Sequence, residues 1–206
     1  EGDAVLLQQP VYYPFSEAIK DNGRELVNSP LKLVNGHYEM DFEDLEQKIV
    51  EHQVKLFLLC SPHNPVGRVW TEEELRRVGD LCVKHNVLVV SDEIHSDFTR
   101  EGHPHTVFAK LGAEFEQNCL ICTAPSKTFN LAGLVGSYHI AYSPWIRDRM
   151  EKECSLSHYD SMNVLSMHAL IAAYSPEGSE WADELCAVLA GNIDFACDYI
   201  KTRFDG

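Results

Sequence analysis

Residues 120–130 read Leu-Ile-Cys-Thr-Ala-Pro-Ser-Lys-Thr-Phe-Asn, and this stretch decides how the rest of the chain is arranged. The apolar run 120–123 predicts a short buried strand, and Pro125 disfavours its continuation. Lys127 then follows in the turn beyond the strand. Because ligands of open α/β sheets bind beyond the carboxyl ends of the strands, an amine at this point is a candidate for Schiff-base chemistry. A solvated surface lysine is the alternative, since most lysines are exposed.

The composition fits one globular domain that binds a small molecule. The chain has 206 residues, of which 45% are hydrophobic and 24% are charged, values that are close to the average for globular proteins. The net charge of -15 argues against nucleic acid or an anionic membrane surface as a partner, because both need clustered Lys and Arg. No membrane-spanning run and no signal peptide is recognisable, so we expect a cytoplasmic protein.

The chain has seven cysteines, an odd number, and several of them lie among apolar residues, namely Cys60, Cys82, Cys122, Cys186 and Cys197. This pattern indicates reduced thiols in a cytosolic core. Cys119 and Cys122 form a C-x-x-C spacing, but residues three apart in a strand point to opposite faces, so redox or zinc use is not favoured. The Asp92, Glu93 and His95 cluster could ligate a metal. Its spacing matches no familiar metal-binding signature, and we therefore predict no metal site.

Hydrophobic patterns predict strands that alternate with helices through most of the chain. Strands are predicted at residues 4–9, 24–28, 54–60, 87–90, 120–123 and 137–142, and a loop at residues 30–36. Helices are predicted at residues 16–20 and 41–52, after a capping box at 71–74, and at 145–154, 161–174 and 180–203, with a break at 175–178. The alternation predicts an α/β fold with a mostly parallel sheet and helices on both faces. His103 and His105 fall in a loop that we expect at the surface.

Polar side chains follow three of the predicted strands. Asn64 lies in a loop made rigid by two prolines and a glycine, Asp92 ends another strand, and Lys127 follows a third. Since parallel strands place their carboxyl ends together, an amide, a carboxylate and an amine should share one edge of the sheet. Each also has a structural explanation, because Asn-Pro is a common turn signal and Asp92 could be a loop cap or an ion-pair member. Tyr12 could pack in its loop or present its ring to a planar ligand.

These groups suit pyridoxal phosphate. Its aldehyde needs a lysine, its pyridine nitrogen needs a carboxylate, and its ring needs flat packing and a donor to the phenolic oxygen. No G-x-G-x-x-G, P-loop or G-x-S-x-G motif is present, which argues against the usual nucleotide-binding and hydrolase interpretations.

Four motifs carry a family resemblance. They are Pro-Val-Tyr-Tyr-Pro-Phe at 10–15, Ser-Pro-His-Asn-Pro-Val-Gly-Arg-Val-Trp at 61–70, Ser-Asp-Glu-Ile-His at 91–95 and Ala-Pro-Ser-Lys-Thr-Phe-Asn at 124–130. Together they resemble fold-type I pyridoxal-phosphate enzymes, and within these the cysteine-sulfur β-lyases, the cystalysin and cystathionine β-lyase branch of the class I/II aminotransferase superfamily. The resemblance implies that residues 1–206 are the large cofactor-binding domain, incomplete at both ends, of a subunit that forms a homodimer at full length.

The resemblance also implies roles for individual residues. Lys127 would bind the cofactor covalently and act as the catalytic base, Asp92 would pair with the pyridine nitrogen, and Asn64 would donate to the phenolic oxygen. Tyr12 would stack on the ring. His95 stands where aminotransferases usually have a tyrosine that touches the phenolic oxygen.

The resemblance gives fewer residues for binding the phosphate of the cofactor than for binding its ring. Ser126 would hold it, whereas Ala124 and Val135 stand where many aminotransferases have a phosphate-binding serine and arginine. These departures fit the lyase branch better than a general aminotransferase.

The activity implied is β-elimination at cystathionine or cysteine-type amino acids, which gives pyruvate, ammonia and a thiol. An aminotransferase on the same scaffold is the alternative, and a non-catalytic regulatory protein is another, although intact Lys127, Asp92 and Asn64 weigh against it. Segments that family members use to bind phosphate and substrate carboxylate are not in the chain. We therefore expect these residues alone to bind cofactor weakly and to turn over little or no substrate.

Overall fold

Eight strands form two sheets in the computed structural model, which describes residues 2–204. The strands are β1 (Ala4–Leu7), β2 (Glu25–Asn28), β3 (Lys32–Val34), β4 (His37–Glu39), β5 (Leu56–Cys60), β6 (Leu88–Asp92), β7 (Cys119–Thr123) and β8 (Tyr138–Ile140). Six of them form one sheet in the order β2-β1-β5-β6-β7-β8. All neighbours in this sheet are parallel except β7 and β8. The predicted mostly parallel sheet is confirmed.

Residues 2–204 also form seven α-helices. They are α1 (Pro14–Asp21), α2 (Phe42–Glu51), α3 (Glu72–Lys84), α4 (Ala113–Gln117), α5 (Pro144–Ser157), α6 (Val164–Ala173) and α7 (Pro176–Arg203). The predicted caps are present, because the Asp44 N–H donates to Asp41 Oδ1 before α2 and Thr71 and Glu74 form a capping box at α3. Within residues 2–204, no helix has the length and apolar character needed to cross a membrane.

Helices cover both faces of the main sheet. Leu6 of β1 belongs to a large apolar cluster with Leu45 of α2 and Leu75 of α3. The next residue, Leu7, belongs to a smaller cluster with Ile19 of α1. Because successive residues of a strand point to opposite faces, the two clusters lie on opposite sides of the sheet. The α/β class with doubly covered strands is therefore confirmed.

The structure differs from the prediction at residues 30–36, which we expected to form only a loop. Strands β3 and β4 pair there as an antiparallel hairpin. Asn35 and Gly36 form its turn with φ values of 50° and 81°, the conformation that Asn-Gly favours in two-residue hairpins. Each strand has three residues, and this length is too short for a clear alternation of apolar and polar side chains.

The predicted break at residues 175–178 is instead the beginning of α7. The Gly178 N–H donates to Ser175 Oγ at 3.2 Å, and Pro176 occupies the first turn. A serine cap followed by proline is a helix start signal. The final helix therefore begins at Pro176 rather than at Glu180.

Candidate active site

The carboxyl ends of β1, β5, β6 and β7 lie side by side along one edge of the main sheet. The chain moves from β1 to its neighbour β2 on one side, and later continues from β5 to β7 on the other side. The strand order therefore changes direction next to β1. In open α/β sheets, ligands bind in the crevice at such a change of direction.

A cavity of about 70 Å³ lies at this edge, and it is lined by the ends of β5 and β6 and by the segments that follow all four strands. Its lining residues are Tyr12, Cys60, Asn64, Asp92, Ile94, His95 and Lys127. Five of the six predicted site residues are therefore brought together. Ser126 precedes Lys127 in the turn after β7 but does not line the cavity. Two larger hollows, of about 400 and 570 Å³, lie beside α5, α6 and α7 and include none of the predicted site residues.

Asp92 is the last residue of β6, and its carboxylate is only partly satisfied by the protein. The Ile94 N–H donates to Oδ1 at 3.1 Å, which leaves Oδ2 available to a ligand. Burial raises the pKa of Asp92, and the nearby His95 and Lys127 act in the opposite direction. A carboxylate that has lost water in this way is stabilised by a cationic N–H group, so the site favours a ligand that carries one.

Lys127 occupies a turn that closes directly after β7. The Phe129 N–H donates to the Pro125 carbonyl, and the Leu131 N–H donates to the Ser126 carbonyl, both at 3.0 Å. This turn carries the lysine from the end of the strand to the cavity. The amine therefore lies on the same edge of the sheet as the Asp92 carboxylate.

Asn64 is held in place by Cys60, which the sequence suggested only as a core residue. The backbone N–H of Asn64 donates to Cys60 Sγ, and the thiol donates to the Pro62 carbonyl, both at 3.4 Å. Burial raises the pKa of Cys60 to about 12, so it remains a thiol at neutral pH. The signal that could have found it is its position at the end of β5, in register with Asp92 of β6.

The loop that carries Asn64 is rigid because its far end is also fixed. Trp70 Nε1–H donates to the Cys60 carbonyl at 2.9 Å. Arg68 donates twice to the Glu74 carboxylate, at 2.7 and 2.8 Å. Both hydrogen bonds come from the same guanidinium nitrogen, Nη2, and they join the end of the loop to the first turn of α3. The backbone of Asn64 is consequently held in place beside the cavity.

Tyr12 and His95 supply the rings of the cavity. Tyr12 is 41% exposed and contacts Phe15 edge to face, with ring centroids 5.7 Å apart. This edge contact leaves area on the Tyr12 ring for a planar ligand. Burial lowers the pKa of His95, which favours the neutral imidazole.

The prediction that His105 lies at the surface was wrong. Its side chain is 7% exposed, and Nε2 lies 2.8 Å from Oε2 of the buried Glu93. The Glu93 carboxylate also accepts hydrogen bonds from Ser91 Oγ–H and the Phe108 N–H, each at 3.0 Å. His103 is exposed as expected. Both histidines lie in one polar loop, and the sequence contains no sign that one of them has a buried partner.

The fold and the site together define a class of protein. It is an α/β protein with a covered parallel sheet that places an amine, a carboxylate, an amide and an aromatic ring around one cavity at the strand ends. A site of this kind suits a planar heterocycle with a carbonyl group.

The chain belongs to the aminotransferase class I and II family, whose sequence model matches residues 1–200. It is 43% identical over 202 residues to "Cystathionine beta-lyase PatB" of Bacillus subtilis, which covers 98% of this chain and 52% of the relative. A pyridoxal-phosphate-bound putative aminotransferase from Clostridium difficile has a TM-score of 0.94 and 44% identity, over 98% of this chain and 51% of that one. Cystalysin from Treponema denticola has a TM-score of 0.91 and 38% identity, over 97% and 50%. The predicted family is confirmed, and the chain spans about half the length of these relatives.

Proposed function

We propose that the whole protein is a pyridoxal-phosphate-dependent lyase. It carries out β-elimination on cystathionine or cysteine-type amino acids and releases pyruvate, ammonia and a thiol. The observation that carries the proposal is the meeting of Lys127, Asp92, Asn64 and Tyr12 at one cavity. Similarity to a cystathionine beta-lyase and to cystalysin supports a lyase within the family.

The residues of the cavity fit the ring of the cofactor. Asp92 Oδ2 is available to a protonated ring nitrogen, and such a cation offsets the burial that raises the pKa of this carboxyl. The Asn64 amide can donate to the phenolic oxygen, and the exposed area of the Tyr12 ring can stack on the heterocycle. Each requirement of the ring thus has a side chain at the cavity.

The fit at the phosphate is less complete within residues 2–204. Ser126 is our proposed phosphate ligand, although it does not line the cavity. Ala124 is buried and apolar, and Val135 is 81% exposed with a φ of 53°. Neither offers a charge or a hydrogen-bonding side chain. The whole protein would therefore need further phosphate contacts from outside these residues.

When bound, pyridoxal phosphate supplies an aldehyde that condenses with amines and a ring that accepts the electron pair left at the substrate α-carbon. Lys127 would hold the cofactor through its amine, and the free amine would take the substrate α-proton as a general base. The Asp92 carboxylate would stabilise a proton on the ring nitrogen. His95, whose pKa is lowered by burial, presents a neutral imidazole, and the tautomer that carries its N–H toward the phenolic oxygen can donate to it.

Replacing Lys127 tests the central assignment. In the whole protein, Lys127→Ala should lower pyruvate formation from cystathionine by at least about a thousandfold, because both the covalent attachment and the base are lost. Borohydride reduction with pyridoxal phosphate, followed by peptide mapping, should find the adduct on Lys127 in the parent. Lys110→Ala, at another exposed lysine, should leave both results unchanged. Substantial turnover by Lys127→Ala would refute the assignment.

An aminotransferase is the second candidate, and the family and the description of the Clostridium difficile structure favour it. Lys127 and Asp92 would act in the same way in both reactions. A lyase makes pyruvate from cystathionine without a keto acid, whereas an aminotransferase depends on one. Product formation that requires an added keto acid would therefore favour the second candidate.

We also propose that residues 1–206 are the large cofactor-binding domain of a cytoplasmic homodimer. All seven cysteines are free, as expected in a reducing compartment. Leu165 and Ile171 of α6 and Phe195 of α7 are 70%, 62% and 72% exposed, which fits helices that are covered in a larger assembly. Sedimentation of the whole protein tests this, and a monomer at micromolar concentration would contradict it.

A further inference from the structure

We infer that the hydrogen bond between Thr128 and Asp97 positions Lys127 for catalysis. Thr128 Oγ1–H donates to Asp97 Oδ2 at 2.7 Å, and Thr128 is only 1% exposed. The inference rests on the proposed function, because Thr128 acts through the lysine and contacts neither cofactor nor substrate. Thr128 and Asp97 are thus positioning residues.

The bond joins the two loops that carry the reacting groups. Thr128 follows Lys127 directly in the turn after β7. Asp97 lies five residues beyond Asp92 and two beyond His95, in the segment after β6. A hydrogen bond between these segments limits how far the backbone of the lysine can move from the carboxylate and the imidazole.

The other hydrogen bonds of the turn do not have this effect, although Phe129 also stacks on Trp181 of α7, with ring centroids 5.7 Å apart. The backbone hydrogen bonds from Phe129 to Pro125 and from Leu131 to Ser126 shape the turn internally, but they do not attach it to the loop after β6. Lys127 is itself exposed and has a long, flexible side chain. Because the side chain is flexible, the position of its amine is reproducible only when the backbone of Lys127 is fixed.

Asp97 is also held by a second contact, so its position does not depend on Thr128 alone. Cys186 of α7 donates its thiol hydrogen to the Asp97 carbonyl at 3.1 Å. Three residues further on, Arg100 forms an ion pair with Asp194 of α7 at 2.7 Å. The segment after β6 is therefore attached to the long helix on one side and to the lysine turn on the other.

The size of the expected effect follows from the need for alignment. A displacement of about 1 Å in a reacting group can lower a rate by about a hundredfold. Loss of the hydrogen bond between Thr128 and Asp97 should impair proton transfer by Lys127 more than substrate binding. The signature is therefore a lower kcat with a nearly constant KM.

The test uses two substitutions of Thr128 in the whole protein loaded with pyridoxal phosphate. Thr128→Val removes the hydroxyl and keeps the branched shape, and it should lower kcat for pyruvate formation by about tenfold or more while KM stays within about twofold. The visible circular dichroism band of the bound cofactor should change as well, because its covalent attachment is displaced. Thr128→Ser keeps the donor and should restore kcat to within about threefold of the parent.

Ser29→Ala is the matched control, because it removes a hydrogen bond of the same type at another place. Ser29 is fully buried, and its Oγ–H donates to Asp44 Oδ2 at 2.6 Å. Neither residue lines the cavity. Ser29→Ala should lower the melting temperature as Thr128→Val does, but leave kcat and the circular dichroism band unchanged.

The outcomes separate this inference from the proposed function. A parental kcat and dichroism band in Thr128→Val, or an equal loss in Ser29→Ala, would overturn the positioning role alone, provided that borohydride fixes the cofactor on Lys127 of the parent. Absence of that adduct in the parent would overturn the proposed function itself. A selective loss in Thr128→Val that Thr128→Ser reverses supports the inference.

Discussion

The polar residues of the cavity combine a role within the protein with groups that remain available to a ligand. Burial raises the pKa of Asp92 and lowers the pKa of His95, and both shifts disfavour the charged form. In the sequence, Asp92 could equally have been a loop cap, and its Oδ1 does accept the Ile94 N–H. Asp92 can therefore be both a loop cap and a ligand-binding group, because Oδ2 remains available to a ligand.

The Glu93–His105 pair gives a prediction at the residue scale. His105→Ala should lower the free energy of unfolding by about 3 kcal/mol, because Oε2 of the buried Glu93 carboxylate loses His105 while Ser91 and Phe108 bond only Oε1. His103→Ala, in the same loop but exposed, should change it by less than about 0.5 kcal/mol. Urea unfolding of both variants measures the difference. Equal effects would show that the buried pair contributes little to folding.

At the scale of elements, the sequence predicted best those elements whose ends carry local signals. Asp41 and Thr71 begin α2 and α3 as expected, because a capping hydrogen bond involves only neighbouring residues. The β3–β4 hairpin was missed, since its short strands have no clear alternation. The beginning of α7 was predicted too late because the sequence carries conflicting signals there. Ser175 and Pro176 are start signals for a helix, whereas Gly178 resembles a stop signal. Deciding between them requires knowledge of what lies against the glycine.

That contact gives the prediction at the element scale. A Cβ on Gly178 would lie 1.9 Å from the carbonyl oxygen of Ala173 in α6. Gly178→Ala must therefore open the corner between α6 and α7, and we expect it to lower the free energy of unfolding by about 2 kcal/mol. A Cβ on Gly191, in the same helix, would have no neighbour within 4 Å, so Gly191→Ala should stabilise by up to about 1 kcal/mol. Thermal unfolding of the two variants measures whether each change is stabilising or destabilising. A stabilised Gly178→Ala would contradict the close approach of Gly178 to the Ala173 carbonyl.

At the scale of the whole molecule, topology rather than any one segment assembles the site. The order β2-β1-β5-β6-β7-β8 places the ends of β1, β5, β6 and β7 next to each other. The sequence predicted a parallel sheet and a shared edge, and therefore the meeting of Asn64, Asp92 and Lys127. It did not predict that Cys60 lines the cavity or that Ser126 lies outside it. Those details depend on loop conformations that packing fixes, and local patterns do not encode them.

The proposed pairing of Asp92 with the ring nitrogen would link cofactor binding to the stability of the whole molecule. Because burial raises the pKa of Asp92, the folded protein binds this proton more tightly than the unfolded chain does. The resulting contribution to stability is full below the unfolded pKa and is lost as the pH rises through the folded pKa. A cationic ring nitrogen beside the carboxylate would instead favour the ionised form of Asp92 in the folded protein. Stabilisation by pyridoxal phosphate should therefore increase with pH over the same window.

In the whole protein, the increase in melting temperature caused by excess pyridoxal phosphate should be larger near pH 8 than near pH 4, close to the ordinary pKa of an aspartate. Asp92→Asn should show a smaller increase with a weaker dependence on pH. Since the variant keeps Lys127 and its titration, the difference between the two proteins isolates Asp92. Without cofactor, Asp92→Asn should be at least as stable as the parent near pH 8, because no buried carboxylate has to ionise. The same pH dependence in both proteins would mean that Asp92 does not face the ring nitrogen, and the assignment of the carboxylate would fail even if Lys127 carried the adduct.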